Sequence, residues 1–239
     1  MLGRCTAELH LALASATNDP DFAVEEFTVQ EIEAMSARIR SEATRALDLL
    51  KSGLSRLPDD LLETAGIALG KRRQILDKLL LPPDGCYGKR IRIHGDYHLG
   101  QVLRTKNEFV ILDFEGEPGR SLAERRAKYS PLRDVAGMLR SFSYAANATL
   151  DAYIKRHPDD FASLEPWARV WERTVAAEFL FSYRKTIAPG NILPAADADF
   201  ERLLNACLLE KAMYELTYEM NNRPSWVRIP LAGILTLVD

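Results

Sequence analysis

Residues 91–118 read IRIHGDYHLGQVLRTKNEFVILDFEGEP, and here His, Asp, Gln and Glu are set among strand-like apolar residues at non-random spacings. Ile91 and Ile93 flank Arg92 and lead into His94-Gly95-Asp96-Tyr97-His98, so His94, Asp96 and His98 share a face if the chain is extended. Gly95 and Gly100 allow sharp backbone turns beside them. Gln101 to Arg104 and Phe109 to Phe114 are rich in apolar and β-branched residues, and the polar Thr105-Lys106-Asn107-Glu108 between them predicts a hairpin loop. Such a hairpin carries Gln101 and Asp113 toward Asp96. Two carboxylates and an amide converging on one cleft suit phosphoryl transfer, in which one aspartate orients and deprotonates a hydroxyl while a carboxylate and an amide oxygen hold magnesium.

The pattern H-x-D-x-x-x-x-(N/Q), a hairpin, then D-F supplies base, amide and metal carboxylate in that order. His94, Asp96, Gln101, Asp113 and Phe114 resemble the catalytic loop and metal-binding aspartate of the aminoglycoside phosphotransferase-like kinases, relatives of protein kinases. A narrower resemblance is carried by HGDYHLGQVL, ILDFEGEP, SPLRDVAGMLRSF and LLEKAMYELTYEMNNRPSWVRIPLAGI. Together these are similar to maltokinases, which phosphorylate maltose to maltose 1-phosphate and are often fused to trehalose synthase. The likeness covers essentially the whole chain, with its specific motifs at 94–142 and 208–234. Gln101 stands where many kinase relatives have Asn, and Glu115 follows Phe114 where protein kinases have Gly; both departures fit maltokinases.

The resemblance implies ATP and Mg2+ as cofactors and maltose as acceptor. It makes Asp96 the base and Gln101 and Asp113 the metal holders, with Glu115 as a helper. It assigns support of the catalytic loop to His94 and Asp134, and sugar contacts to His98, Lys211, Tyr214, Glu215 and Tyr218. Nothing before Ile91 resembles the strands, phosphate-covering loop and lysine with which these kinases grip ATP. The expectation is therefore a mainly α (α+β) fold, a protein-kinase-like carboxy-terminal lobe that is a helical bundle with a catalytic-loop β-hairpin. Its segments are 1–90 (helical), 91–118 (catalytic loop and hairpin) and 130–239 (helical and sugar-binding), with the nucleotide lobe absent and the isolated lobe inactive.

Other readings stay open. His94-x-Asp96-x-His98 puts ligand atoms on one strand face and suits zinc if one more ligand or a water joins. His94 also reads as a structural loop histidine. The same catalytic loop serves kinases of aminoglycosides, choline or other small alcohols, which are expected to lack the 211–218 face. A chain without a nucleotide lobe also reads as a sugar- or partner-binding module that catalyses nothing.

Composition narrows the classes further. The 239 residues carry 31 basic and 34 acidic side chains for a net charge of −3, which argues against a general nucleic-acid or anionic-membrane binder. The longest apolar stretch, Ile229 to Val238, contains Pro230 and Gly233 and falls far short of the roughly 18 residues a spanning helix needs. Cys5, Cys86 and Cys207 are scattered and odd in number, so a disulfide framework or zinc ribbon is not expected, and a reducing cytoplasm fits.

The rest of the chain reads as helix. Residues 1–16 form an amphipathic helix on Leu2, Cys5, Leu9 and Leu13, interrupted by Glu8 and His10. Thr28 and Glu31 make a capping box for a helix that ends near Gly53, with Ile32, Met35, Ile39, Leu47 and Leu50 apolar. Pro58 opens another that carries Leu61, Leu62, Ile67, Leu69, Ile75 and Leu79 to Pro82, weakened at Gly66 and Gly70. Residues 115–129 read as a charged loop. Ser130 caps a helix to about Arg156, whose Asp134 either favours the helix dipole or braces the catalytic loop. A helix from Glu165 to about Ile187 places Trp167, Val170, Trp171, Val175, Phe179 and Leu180 in the core. From Asp197 to about Asn221, Leu209, Ala212, Met213, Leu216 and Met220 form an apolar face. Lys211, Tyr214, Glu215 and Tyr218 share the neighbouring one, which reads either as a sugar surface or as an exposed Lys211–Glu215 pair with partly buried tyrosines. Trp226 is expected to anchor a last helix that starts near Leu231.

Overall fold

Thr28 starts a long helix by the expected device: its hydroxyl accepts from the Glu31 N–H at 3.3 Å, and the Glu31 carboxylate accepts from the Thr28 N–H at 2.9 Å. The computed structural model describes residues 1–15, 18–106 and 108–238. Ala16, at the end of the predicted first helix, and Asn107, in the predicted hairpin loop, lie outside the described residues. The elements run α1 (Leu2–Leu13), β1 (Glu25–Glu26), α2 (Val29–Ser52), α3 (Leu62–Gly70), α4 (Arg72–Lys78) and β2 (Lys89–Arg90). They continue with β3 (Val102–Arg104), β4 (Phe109–Ile111), α5 (Leu122–Arg126), α6 (Leu132–Ile154), α7 (Phe161–Ile187), α8 (Asp197–Asn222) and α9 (Arg228–Val238). The fold is mainly α, and the sheet among the described residues is two antiparallel pairs, β1 with β2 and β3 with β4. Among those residues no helix is long and apolar enough to cross a membrane.

The chain divides into two compact units, one made of Met1–Glu26 and Tyr87–Ala195, the other of Phe27–Cys86 and Ala196–Asp239. In the first, α1 and α6 both pack on α7, and Leu132, Val135, Met138, Phe142, Phe179 and Tyr183 are buried. Phe142 meets Phe179 edge to face at 5.6 Å between centroids, a geometry that adds a ring–ring attraction to plain burial. The α1–α7 contact is close because of Gly3: a Cβ there would stand 2.3 Å from the Phe179 carbonyl oxygen and 3.0 Å from the Tyr183 nitrogen. In the second unit α2 packs on α8 and α8 on α9, burying Ile32, Ile39, Leu47 and Leu50 of α2 and Leu209, Met213, Leu216 and Met220 of α8. Arg38 of α2 reaches Glu210 of α8 at 2.9 Å.

Several local expectations are corrected. The buried residues of α1 are Gly3, Thr6, Ala7 and His10 rather than the Leu2-Cys5-Leu9-Leu13 stripe, because close helix contact selects the small side chains at 3, 6 and 7 while buried polar partners hold His10. The single helix expected after Pro58 is two, broken at Lys71 just after Gly70, and Leu62 and Ile67 are exposed. A third correction is α5, which interrupts the expected 115–129 loop through a second capping box, Ser121 with Glu124. The last helix starts at Arg228, with Pro230 in its first turn, where a missing N–H costs nothing. On α7, Phe179 is buried but Trp167 (70% exposed), Val170 and Trp171 are not. Helical spacing reports a stripe, and packing decides whether anything covers it.

Gly3→Ala should lower the stability of the chain by about 1–3 kcal/mol. Gly66→Ala, in a helix interior with nothing within 4 Å of the added Cβ, should raise it by about 0.5–1 kcal/mol. Urea unfolding of both variants checks this; a Gly3→Ala chain no less stable than the wild type would refute the close α1–α7 approach.

Candidate active site

The loop bearing Asp96 is tied down at both ends. Ile91 and Tyr129 exchange backbone hydrogen bonds of 3.0 and 2.9 Å, and the Leu99 N–H donates to the Ser141 hydroxyl at 2.9 Å. Between them the chain turns at Gly95, whose φ of 84° strains any residue with a Cβ. Asp134 of α6 holds that turn. Its carboxylate accepts from the His94 N–H at 2.7 Å, the Gly95 N–H at 2.9 Å and His10 Nε2 at 3.1 Å. Burial by itself pushes this carboxyl up, but the bond and charge of His10 and the Gly95 N–H outweigh it and hold Asp134 below the usual carboxylate range. An ionised, buried acceptor therefore organises the turn.

The His94 ring joins the loop to the hairpin. Its Nε2 lies 2.7 Å from the Leu112 carbonyl oxygen, which can only accept, so Nε2 carries the proton and Nδ1 is left to receive the Asp96 N–H at a long 3.4 Å. The ring stands 5.3 Å from that of Tyr97 and 5.1 Å from that of Phe114. Tyr97 is buried with its hydroxyl 2.8 Å from that of Thr6, and burial pushes its phenol well above the ordinary value, so it stays neutral.

The hairpin pairs Val102 with Ile111 and Arg104 with Phe109, as its sequence predicts. Leu112 adds one further bond to the Gln101 carbonyl at 2.9 Å, and Asp113 then departs from strand geometry with a φ of 63°. A non-glycine residue in the left-handed region is strained backbone that the surrounding contacts must maintain. The Gln101 side-chain amide donates to Asp113 Oδ2 at 2.8 Å, leaving its carbonyl oxygen to face another partner. A carboxylate and an amide oxygen are hard donors that fit Mg2+, which takes one or two such protein groups and completes its shell with water and phosphate oxygens.

Asp96 is 22% exposed, and His98 Nε2 stands 3.9 Å from its Oδ2, beyond hydrogen-bond distance. His98 Nδ1 instead accepts from the Gly100 N–H at 3.0 Å. With His94 turned to Leu112 and His98 to Gly100, the zinc reading of this stretch has no cluster, and among the described residues no group of three His, Cys, Asp or Glu could hold a metal. Glu115 is exposed and engages Arg125 Nη1 through its carbonyl at 3.2 Å.

The second unit carries the α8 face. Lys211 Nζ lies 4.9 Å over the Tyr214 ring. Tyr214 and Tyr218 are exposed at 42% and 46%, whereas Glu215 is buried, unlike the exposed pair that composition allows. Arg223 extends this face: it donates to the buried Glu219 at 2.9 and 2.6 Å and lies over Tyr218 at 5.5 Å and Trp226 at 4.5 Å. Sequence reading missed Glu219 and Arg223 here, and His10, Tyr183, Thr6 and Ser141 around the Asp96 loop. The signal for His10 was its position between apolar residues of α1.

No family model matches the chain. It is 29% identical to a glucosamine kinase from Streptacidiphilus jiangxiensis, over 99% of this chain and 48% of that protein. A glucosamine kinase from Mycolicibacterium smegmatis is 31% identical over 61% of this chain and 34% of its own length. A solved glucosamine kinase in complex with glucosamine, ADP and inorganic phosphate superposes with a TM-score of 0.76 at 25% identity, over 100% of this chain and 50% of that one. The chain is similar to glucosamine kinases along its whole length. It spans half or less of the length of these curated relatives. The kinase relation expected from residues 94–114 is thus supported, and these relatives, being glucosamine kinases, do not support maltokinase in particular.

Asp134→Asn should cost about 3–5 kcal/mol, since an amide offers one acceptor oxygen where the carboxylate offers two to buried donors. Because the folded carboxyl sits below the ordinary value of 3.8, its contribution is complete above that value and is lost as pH falls through the lower folded one. Urea unfolding between about pH 2 and 7 should show a shallower acid loss of stability in the Asn variant than in the wild type; equal slopes would mean that Asp134 is not charged in the fold.

Proposed function

We propose that the chain carries the base and the metal-holding residues of an ATP-dependent sugar kinase. The observation that carries this reading is the 2.8 Å contact of Gln101 with Asp113, on a turn linked through the His94 ring to the loop bearing Asp96. Magnesium held there would offset the charge on the transferred phosphoryl group. Asp96, partly exposed, takes the proton of the acceptor hydroxyl. Gln101 and Asp113 hold the metal, with Glu115 as a helper, and His98 donates to the acceptor. His94 and Asp134 keep the loop in place.

On the second unit, Lys211, Tyr214, Glu215 and Tyr218 of α8 form a carbohydrate-contacting surface, with ring faces for C–H groups and charged groups for hydroxyls. The similarity to glucosamine kinases supports an amino sugar as the acceptor, whose ammonium suits a carboxylate such as Glu215. Maltose, implied by the sequence resemblance, is the second reading. One observation favours it: Lys211 stands beside Tyr214, and an ammonium there repels a cationic sugar and tolerates a neutral one. In this proposal the nucleotide lobe, and any trehalose synthase fusion, belong to chain outside these 239 residues. The setting is a reducing cytoplasm, in keeping with the free thiols of Cys5, Cys86 and Cys207.

Calorimetry of the purified chain with Mn2+, glucosamine and maltose tests the reading. Mn2+ should bind, and Asp113→Asn should weaken it about tenfold or more; binding unchanged by that substitution would remove Asp113 as a holder. Glucosamine bound more tightly than maltose supports the amino sugar, and the reverse order supports maltose. Tyr214→Ala should weaken the preferred sugar with no fall in melting temperature, because the side chain is largely outside the core.

In any preparation that turns over with ATP, Asp96→Asn should lower kcat by about 10²- to 10⁴-fold at saturating substrates. Near wild-type turnover would show that another group takes the proton.

A further inference from the structure

Behind Asp134 lies a line of buried polar atoms that the mechanism above leaves unused. His10 of α1 is wholly buried, with Nε2 3.1 Å from Asp134 Oδ2 and Nδ1 2.8 Å from the Tyr183 hydroxyl of α7. Tyr183 is wholly buried as well, and burial together with the Asp134 charge holds its phenol well above the ordinary value, so the hydroxyl keeps its proton. A carboxylate only accepts, so His10 Nε2 donates to Asp134, while Nδ1 stands against the Tyr183 hydroxyl, which can donate or accept. The line thus runs from a phenol on α7, through a ring on α1, to the acid on α6 that receives the His94 and Gly95 N–H groups.

We propose that His10 and Tyr183 are positioning residues, which fix the orientation of the Asp134 carboxylate and through it the turn that presents Asp96. The catalytic meaning of that turn rests on the kinase reading, whereas the link itself does not. A side chain that merely fills space at position 10 would affect all three helices alike. One that aims Asp134 acts first on the two amides bonded to it, and a substitute with the same donor and acceptor restores them.

Amide hydrogen exchange of the full chain, without nucleotide or sugar, separates these cases. In His10→Leu the His94 and Gly95 amides should exchange about tenfold or more faster, beyond any change at α6 core amides such as that of Leu139. His10→Gln, whose Nε2–H can donate to Asp134 while Oε1 accepts from Tyr183, should restore most of the protection. Should His10→Leu not fold, Tyr183→Phe removes the hydroxyl alone and should give a smaller acceleration confined to the same two amides. Acceleration spread evenly over α1, α6 and α7, no acceleration at His94 and Gly95 in Tyr183→Phe, or a His10→Gln variant no better protected than His10→Leu would each overturn the proposal. Metal and sugar binding test the kinase reading separately, so its failure would leave the exchange rates of these two amides as a direct measure of the link.

Discussion

A single buried carboxylate organises the first unit. Asp134 is ionised in a place where an unpaired charge would be prohibitively costly, and three donors from two other parts of the chain make it tolerable. Two of those donors are consecutive backbone N–H groups of a turn that includes a residue at positive φ. The bonds thus do more than satisfy the acid: they select one backbone conformation at residues 94–95, and with it the exit direction of Asp96. Because the acid sits in the first turn of α6, the rigidity of a long helix is passed to a loop that has little regular structure of its own.

The next link is the His94 ring, which carries that order from the loop to the Leu112 carbonyl. Leu112 lies one residue before Asp113, whose left-handed backbone persists only under constraint. The ladder bond from Leu112 to Gln101 and the side-chain bond from Gln101 to Asp113 supply it. A hairpin of three-residue strands is marginal by itself, so these contacts and the tilted approach of the His94 ring to Phe114 help to hold Gln101 and Asp113 in register.

In the second unit, α8 divides its labour by face. Leu209, Met213, Leu216 and Met220 bury against neighbouring helices, and the adjacent face offers tyrosine rings beside cationic groups. Arg223 illustrates how such a surface is kept rigid: two bonds to the buried Glu219 fix its guanidinium, and two aromatic rings flank the plane. Glu215, which composition alone would pair with Lys211 in solvent, is drawn into the interior. A polar site on a packed helix face costs less ordering on binding than the same side chains on a loop.

The sequence by itself determined what is decided within a few residues along the chain. The Thr28–Glu31 box, the hairpin and the apolar face of α8 all follow from hydrogen bonds and periodicities that close locally. The residues of the candidate site were legible for the same reason, since Asp96, Gln101 and Asp113 lie on one loop and its hairpin. What tertiary structure alone decided is which distant groups meet. His10 finds Tyr183 across 173 positions and Asp134 across 124, a pairing with no local signature. It reverses the reading of α1, where an apparent interruption of the apolar pattern is a member of the buried face. On α7 the reverse holds, since Trp167 and Trp171 have core spacing and remain exposed. Periodicity states which side chains can be buried together, and only the packing of one helix against another determines which of them are.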